Sequence, residues 1–257
     1  MGALEFDDVV FGYGSGLLFD GFSASFPKGS ISCIVGPNGC GKSTLAKLAM
    51  GLVKPTSGRV CVAGRDVSSL AARDRARLLG VLVQQQEAPM MTARELVACG
   101  RFPCCGSFSR LSRDDEERID EALFLAGVSD LRDRLLQSLS GGQRQRVRMA
   151  MVLAQDTPIV LLDEPTSFMD VAACFDMVRL IRQVRQRGKT VIAVIHDLNL
   201  ALSVADQVFV MERGRLAAQG ESADGCVRSA IEQSFGVRLE HVQTSCGTAW
   251  VPFELRE

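Results

Sequence analysis

The chain has 257 residues, enough for one well-filled core with a smaller lobe and too few for two large independent domains. A net charge of −1 gives no general pull towards nucleic acid or anionic lipid, so no nucleic-acid partner is expected. The apolar runs fall far short of the ~18 residues of a bilayer span, the acidic start lacks a signal-peptide flank, and nine cysteines without a C-x-x-C pair suit a reduced cytoplasm.

In chain order, LEFDDVVF (4–11) and FSASF (22–26) predict strands of an antiparallel lead-in. ISCIVG (31–36) is an almost continuous apolar run ended by glycine, and Lys42 to Gly51 reads as a helix with Leu45, Leu48 and Ala49 on one side. Three further runs, Gly80 to Val83, Pro158 to Leu162 and Thr190 to Ile195, have the same buried-strand character. The fold class expected is therefore α/β, a parallel-sheet core covered by helices on both faces. Residues 86–155 change to a helical pattern: Ser112 with Asp115 resembles a capping box, and Ile119, Ala122, Leu123 and Ala126 form the apolar stripe behind it. Arg144, Arg146 and Arg148 read as solvated arginines near a helix start. After Gly220, a helix over Cys226 to Phe235 and short strands through Phe253 make a small C-terminal appendage, 221–257.

Three motifs carry chemistry. In GPNGCGKST (36–44), Gly36, Gly39 and Gly41 allow backbone N–H groups to converge on a polyphosphate, and the following helix adds the positive end of its dipole. Lys42 can reach β and γ phosphates and Ser43 can ligate Mg²⁺, while Pro37, Asn38, Cys40 and Thr44 complete the cradle. LSGGQRQR (139–146) precedes a helix, so Ser140, Gly141, Gly142 and Gln143 can present amides to a second anion; alone, Ser140 is equally an ordinary helix N-cap. IVLLDEP (159–165) places Asp163 to hold Mg²⁺ through water and Glu164 to polarise an attacking water; alone, the two acids could simply form a turn before Pro165.

In this order the three motifs resemble the ATP-binding subunits of ABC transporters, and the resemblance spans Leu4 to about Gly220. It implies a P-loop ABC cassette over 1–220 with a helical subdomain near 86–155, binding ATP and Mg²⁺. Tyr13 then matches the aromatic that stacks on adenine, Gln84 the Q-loop glutamine that senses Mg²⁺ and water, Asp170 the D-loop aspartate, and His196 the switch histidine that contacts the γ-phosphate. His241 matches nothing in the family. The resemblance also implies a head-to-tail homodimer or paralogous dimer, in which Lys42 of one subunit faces Ser140 and Gly142 of the other across ATP, and a polytopic permease; Met90, Met91 and Phe102 offer a soft surface for its docking helix, or else belong to the core. MTARELVACGRFP, AMVLAQDTPIVLLDEPTS, VIHDLNLA and SFGVRLE resemble the subgroup that imports ferric siderophores, haem and cobalamin, which implies a substrate-binding protein and a peripheral place on the cytoplasmic face of the membrane. DVAACFDMV departs from the polar sequence expected there. The alternative, a non-transport ABC ATPase of translation or DNA repair, usually carries two cassettes or a long coiled-coil insertion, and neither occurs in this sequence.

Overall fold

Alternate residues of the apolar runs serve two different cores, which is why they read as continuously hydrophobic. In β3 (Ile31–Val35), Ile31, Cys33 and Val35 join the core beneath the helical part, whereas Ile34 joins the core shared with the N-terminal sheet. The computed structural model describes residues 2–14, 16–83, 88–105, 111–167, 169–244 and 247–254.

The lead-in strands β1 (Leu4–Tyr13) and β2 (Gly16–Phe26) pair antiparallel. β3 passes through the glycine loop into α1 (Lys42–Ala49), after which β4 (Ser57–Val62) and the two-residue β5 (Arg65–Asp66) complete a sheet of order β2-β1-β4-β5. A short helix α2 (Ala72–Leu78) feeds β6 (Leu79–Leu82), and α3 (Ala93–Cys99), α4 (Arg113–Leu125) and α5 (Gly141–Ala154) build the helical subdomain. The chain then alternates β7 (Ile159–Asp163), α6 (Val171–Gln186), β8 (Thr190–Val194), α7 (Leu198–Val204) and β9 (Gln207–Glu212) before the edge strand β10 (Arg215–Gly220). The second sheet has the order β10-β9-β3-β8-β7-β6, with β10 antiparallel and the rest parallel. The fold is therefore the α/β cassette expected.

The register aligns the ends that matter. Ile34 pairs with Val194 and Val194 with Asp163, so the loop after β3, the carboxylates after β7 and the histidine after β8 emerge at one sheet edge. In a parallel sheet this carboxyl edge is where ligands are met.

The helical subdomain is fastened internally by a buried ion pair. Arg101 Nε donates to Asp115 Oδ1 at 2.8 Å and Arg101 Nη1 to the Ala154 carbonyl at 2.7 Å, while Asp115 also closes the Ser112 capping box. Arg144, Arg146 and Arg148, expected to be solvated, are instead half-buried. Arg144 Nη1 caps the Leu139 carbonyl at 2.7 Å, and burial pulls the Arg148 guanidinium pKa below its ordinary value, helped by the charge of Arg144. Arg144 thereby braces α5 against its own entry loop.

Gly220, where the sequence reading ends the cassette, is the last residue of β10. Beyond it, α8 (Gly225–Phe235) and the hairpin β11 (Val237–Thr244) and β12 (Gly247–Glu254) place Val227, Ile231, Leu239 and Trp250 in the core beneath the helical part. No helix among the described residues is long and apolar enough to cross a membrane.

Candidate functional site

The glycine loop wraps back onto β3 and opens into α1, whose first-turn amides have no intrahelical acceptors. Gly41 is the N-cap with φ of 113°, and a Cβ there would lie 2.7 Å from the Phe19 ring, so only glycine fits the bend. Lys42 is buried, and its ammonium donates to the Gly36 and Pro37 carbonyls at 2.6 and 2.9 Å. Its side chain thus lies over the loop rather than pointing into solvent. The Cys40 thiol is buried, which raises its pKa, with the Lys42 charge opposing that rise.

Tyr13 ends β1 and is 51% exposed, its ring edge-on to Phe11 and with Lys47 of α1 5.9 Å from the ring centroid. An accessible aromatic side chain beside α1 can stack on a flat heterocycle.

At the end of β7 the two acids have different surroundings. Asp163 is 8% exposed; burial raises its pKa, the Glu164 charge adds to the rise, and hydrogen bonding from the Ser43 side chain opposes it. Its Oδ1 has no hydrogen-bond partner among the described residues. An orphaned, buried carboxylate oxygen beside a hydroxyl is a donor set suited to a hard divalent cation, so these residues fit Mg²⁺. Glu164 turns outward through a left-handed backbone, φ 53°, a conformation costly for a residue with a Cβ. Its Oε1 lies 2.5 Å from His196 Nε2, its Oε2 accepts from Ser167 Oγ at 2.9 Å, and its N–H is tied to the Val194 carbonyl at 3.1 Å. Glu164 and His196, 32 residues apart in sequence, are brought together by the β7–β8 register.

The second candidate anion-binding segment, Ser140 to Gln143, lies at the start of α5. Ser140 is the N-cap, its Oγ accepting from Gln143 N at 3.2 Å while Gln143 Oε1 accepts from Ser140 N at 2.9 Å. The N-cap reading is therefore realised, and it leaves Ser140 exposed with Gly141 and Gly142 half-buried beside it. Asp170 likewise caps α6, accepting from Ala173 N at 2.8 Å. A Cβ on Gly142 would lie 3.6 Å from that of Ala173 and 3.9 Å from Met169 Cγ, so the starts of α5 and α6 are neighbours.

Gln84 lies outside the described residues. Met90 and Phe102 are 84% and 65% exposed, whereas Met91 packs partly against the core. Ser167 is a functional candidate that the sequence does not announce; the serine after DEPT carries no signal of its own until Glu164 is seen to bend back over it.

Comparison with known proteins shows the family to which this fold belongs. The family model described as ABC transporter matches residues 19–167. The ferric enterobactin transport ATP-binding protein of Escherichia coli (strain K12) is 38% identical over 91% of this chain and 88% of its own length. The achromobactin transport ATP-binding protein of Dickeya dadantii (strain 3937) is 42% identical over 92% and 89%. Among solved structures, a metal-chelate type ABC transporter in an inward-facing conformation superimposes with a TM-score of 0.85 at 26% identity, covering 98% of each chain.

Proposed function

This chain belongs to the ABC transporter family as an ATP-binding, ATP-hydrolysing subunit, and from that premise we propose that it powers import of a ferric siderophore or a related iron complex. The cargo reading is carried by one observation. Similarity to two siderophore-transport ATPases runs through more than nine-tenths of this chain rather than through the nucleotide motifs alone.

In this reading the adenine stacks on Tyr13, and the polyphosphate lies in the cradle from Gly36 to Thr44. Lys42 exchanges its loop carbonyls for phosphate oxygens. Ser43 and Asp163, with Gln84, would hold Mg²⁺, and the ion bound there would neutralise charge on the phosphate oxygens. Glu164 accepts the proton of the attacking water, and His196 holds that carboxylate on one side while facing the γ-phosphate.

ABC cassettes dimerise and pair with a membrane permease. We assign the second half of the site to a partner copy, whose Ser140, Gly141, Gly142 and Gln143 close on the γ-phosphate with Asp170 at the seam. Closure driven by ATP and reopening after hydrolysis would then move a permease helix seated on Met90 and Phe102, at the cytoplasmic face of the membrane, with a substrate-binding protein delivering cargo from the other side.

The test is uptake of ⁵⁵Fe-labelled ferric siderophores by cells lacking this gene. Wild-type chain should restore uptake and Glu164→Gln should not. Undiminished uptake without the gene, for every iron complex tried, would refute the cargo assignment and leave ATP hydrolysis standing. In parallel, Glu164→Gln recovered from native membranes with ATP should bring a polytopic permease with it.

A further inference from the structure

The VIHDLNLA segment contains an asparagine that nucleotide chemistry leaves unused. Asn199 lies in the first turn of α7, three residues beyond His196, and its Oδ1 accepts a hydrogen bond from the backbone N–H of Trp250 at 3.1 Å. Trp250 belongs to β12, the last strand of the C-terminal hairpin. It is 7% exposed and shares a core with Leu198 and Leu202 of α7.

An isolated two-stranded hairpin is marginal in water, and so is a helix of two turns. Each here gains its order from the other. The hairpin is in turn fixed from behind: Leu239 N donates to Glu232 Oε1 of α8 at 2.8 Å, and Ser234 Oγ of α8 donates to Glu212 Oε2 at the end of β9 at 3.0 Å. A continuous set of contacts therefore runs from the core sheet through α8 and the hairpin to the first turn of α7. That turn begins at Asp197, whose Oδ1 caps Leu200 N at 3.0 Å, and His196 immediately precedes it. His196 is itself nearly half exposed, so its placement depends on the backbone that carries it.

We propose that the hairpin of residues 237–254 acts, through Asn199, as a clamp on α7 that holds His196 against Glu164, which makes Asn199 a positioning residue for ATP hydrolysis. The proposal rests on the role assigned to His196 above. The C-terminal segment thereby sets the rate of the chemical step without touching nucleotide.

Asn199 is exposed, so its replacement leaves the core intact. Asn199→Ala removes the acceptor, whereas Asn199→Asp keeps one. In the full-length chain, Asn199→Ala should lower kcat roughly three- to tenfold, the factor that loss of one neutral hydrogen bond corresponds to, with KM for ATP unchanged. Asn199→Asp should restore wild-type kcat. The chain has two histidines, so ¹⁵N-histidine spectra report both ends of the clamp: the His196 signal should move in Asn199→Ala and return in Asn199→Asp, with His241, whose ring lies 5.1 Å from that of Trp250, as the hairpin reporter. Wild-type kcat in Asn199→Ala, an equal loss in both variants, or an unmoved His196 signal would each overturn the clamp. His196→Ala is measured alongside. If it keeps full turnover, the histidine's role fails and the clamp with it; if it is inactive while Asn199→Ala is unaffected, the clamp alone fails.

Discussion

His196 Nε2 stands 2.5 Å from Glu164 Oε1, at the point where two adjacent parallel strands end together. The carboxylate is thereby held facing the loop edge, the geometry a general base for water requires. Glu164→Gln keeps the size and one oxygen but cannot take a proton. It should bind ATP with affinity close to wild type while phosphate release falls by about 10²-fold or more. Equilibrium binding and single-turnover hydrolysis check this, and normal turnover would remove Glu164 from the role.

Ser167 should matter in a narrower way. Its hydroxyl donates to Glu164 Oε2 at 2.9 Å, and its N–H bonds back to the Glu164 carbonyl at 3.2 Å, so it fixes the orientation of a residue already held in a left-handed backbone. Ser167→Ala should lower kcat roughly three- to tenfold with KM for ATP unchanged, and Ser167→Thr, which keeps the hydroxyl, should recover most of it. A rise in KM instead would place Ser167 in binding.

Much of this site is legible in the sequence because its parts are local. ISCIVG, the glycines and the helix after them form one continuous signal, and LLDEP ends a run whose burial is plain. What joins the parts is not local. The Glu164–His196 contact comes from strand register, and the Ser167 contact from a positive φ; neither leaves a mark on composition. The helix after Asp170 is hidden for another reason. In α6 the buried stripe of Met177, Val178, Leu180, Ile181 and Val184 is preceded by Val171 and Phe175, which are exposed, so the amphipathic pattern is blurred where the helix begins. Arg101 falls in the stretch expected to meet the permease, yet it is buried against Asp115, a residue visible in sequence only as a capping partner.

Lys42 makes a test of the cradle. Its ammonium is satisfied by the Gly36 and Pro37 carbonyls, so the loop is built around the lysine itself. Lys42→Ala should weaken ATP binding by ~10-fold or more, since charge-assisted hydrogen bonds to phosphate are worth about 1.5–3 kcal/mol. Titration with a fluorescent ATP analogue measures it. Unchanged affinity would contradict the cradle assignment.

The Arg101–Asp115 pair should govern acid stability. Hydrogen bonding from Ser112 and then from Arg101 holds the Asp115 carboxyl well below the usual carboxylate range. A depressed folded-state pKa means that the stabilisation is complete above the unfolded value of about 3.9 and drains away as pH falls through the folded value. Thermal unfolding of the wild type should therefore lose stability progressively from about pH 4 downward. Asp115→Asn removes the charge but leaves Arg101 buried, so at pH 7 it should cost about 3 kcal/mol, roughly 6–12 °C in Tm. Below about pH 4 the gap between the two proteins should narrow, because the unfolded wild-type chain takes up a proton at this carboxyl that the folded chain does not, a loss the asparagine variant is spared. A gap that stays constant from pH 7 to pH 3 would mean that Asp115 stabilises by shape and capping alone, and that its charge contributes nothing to the helical subdomain.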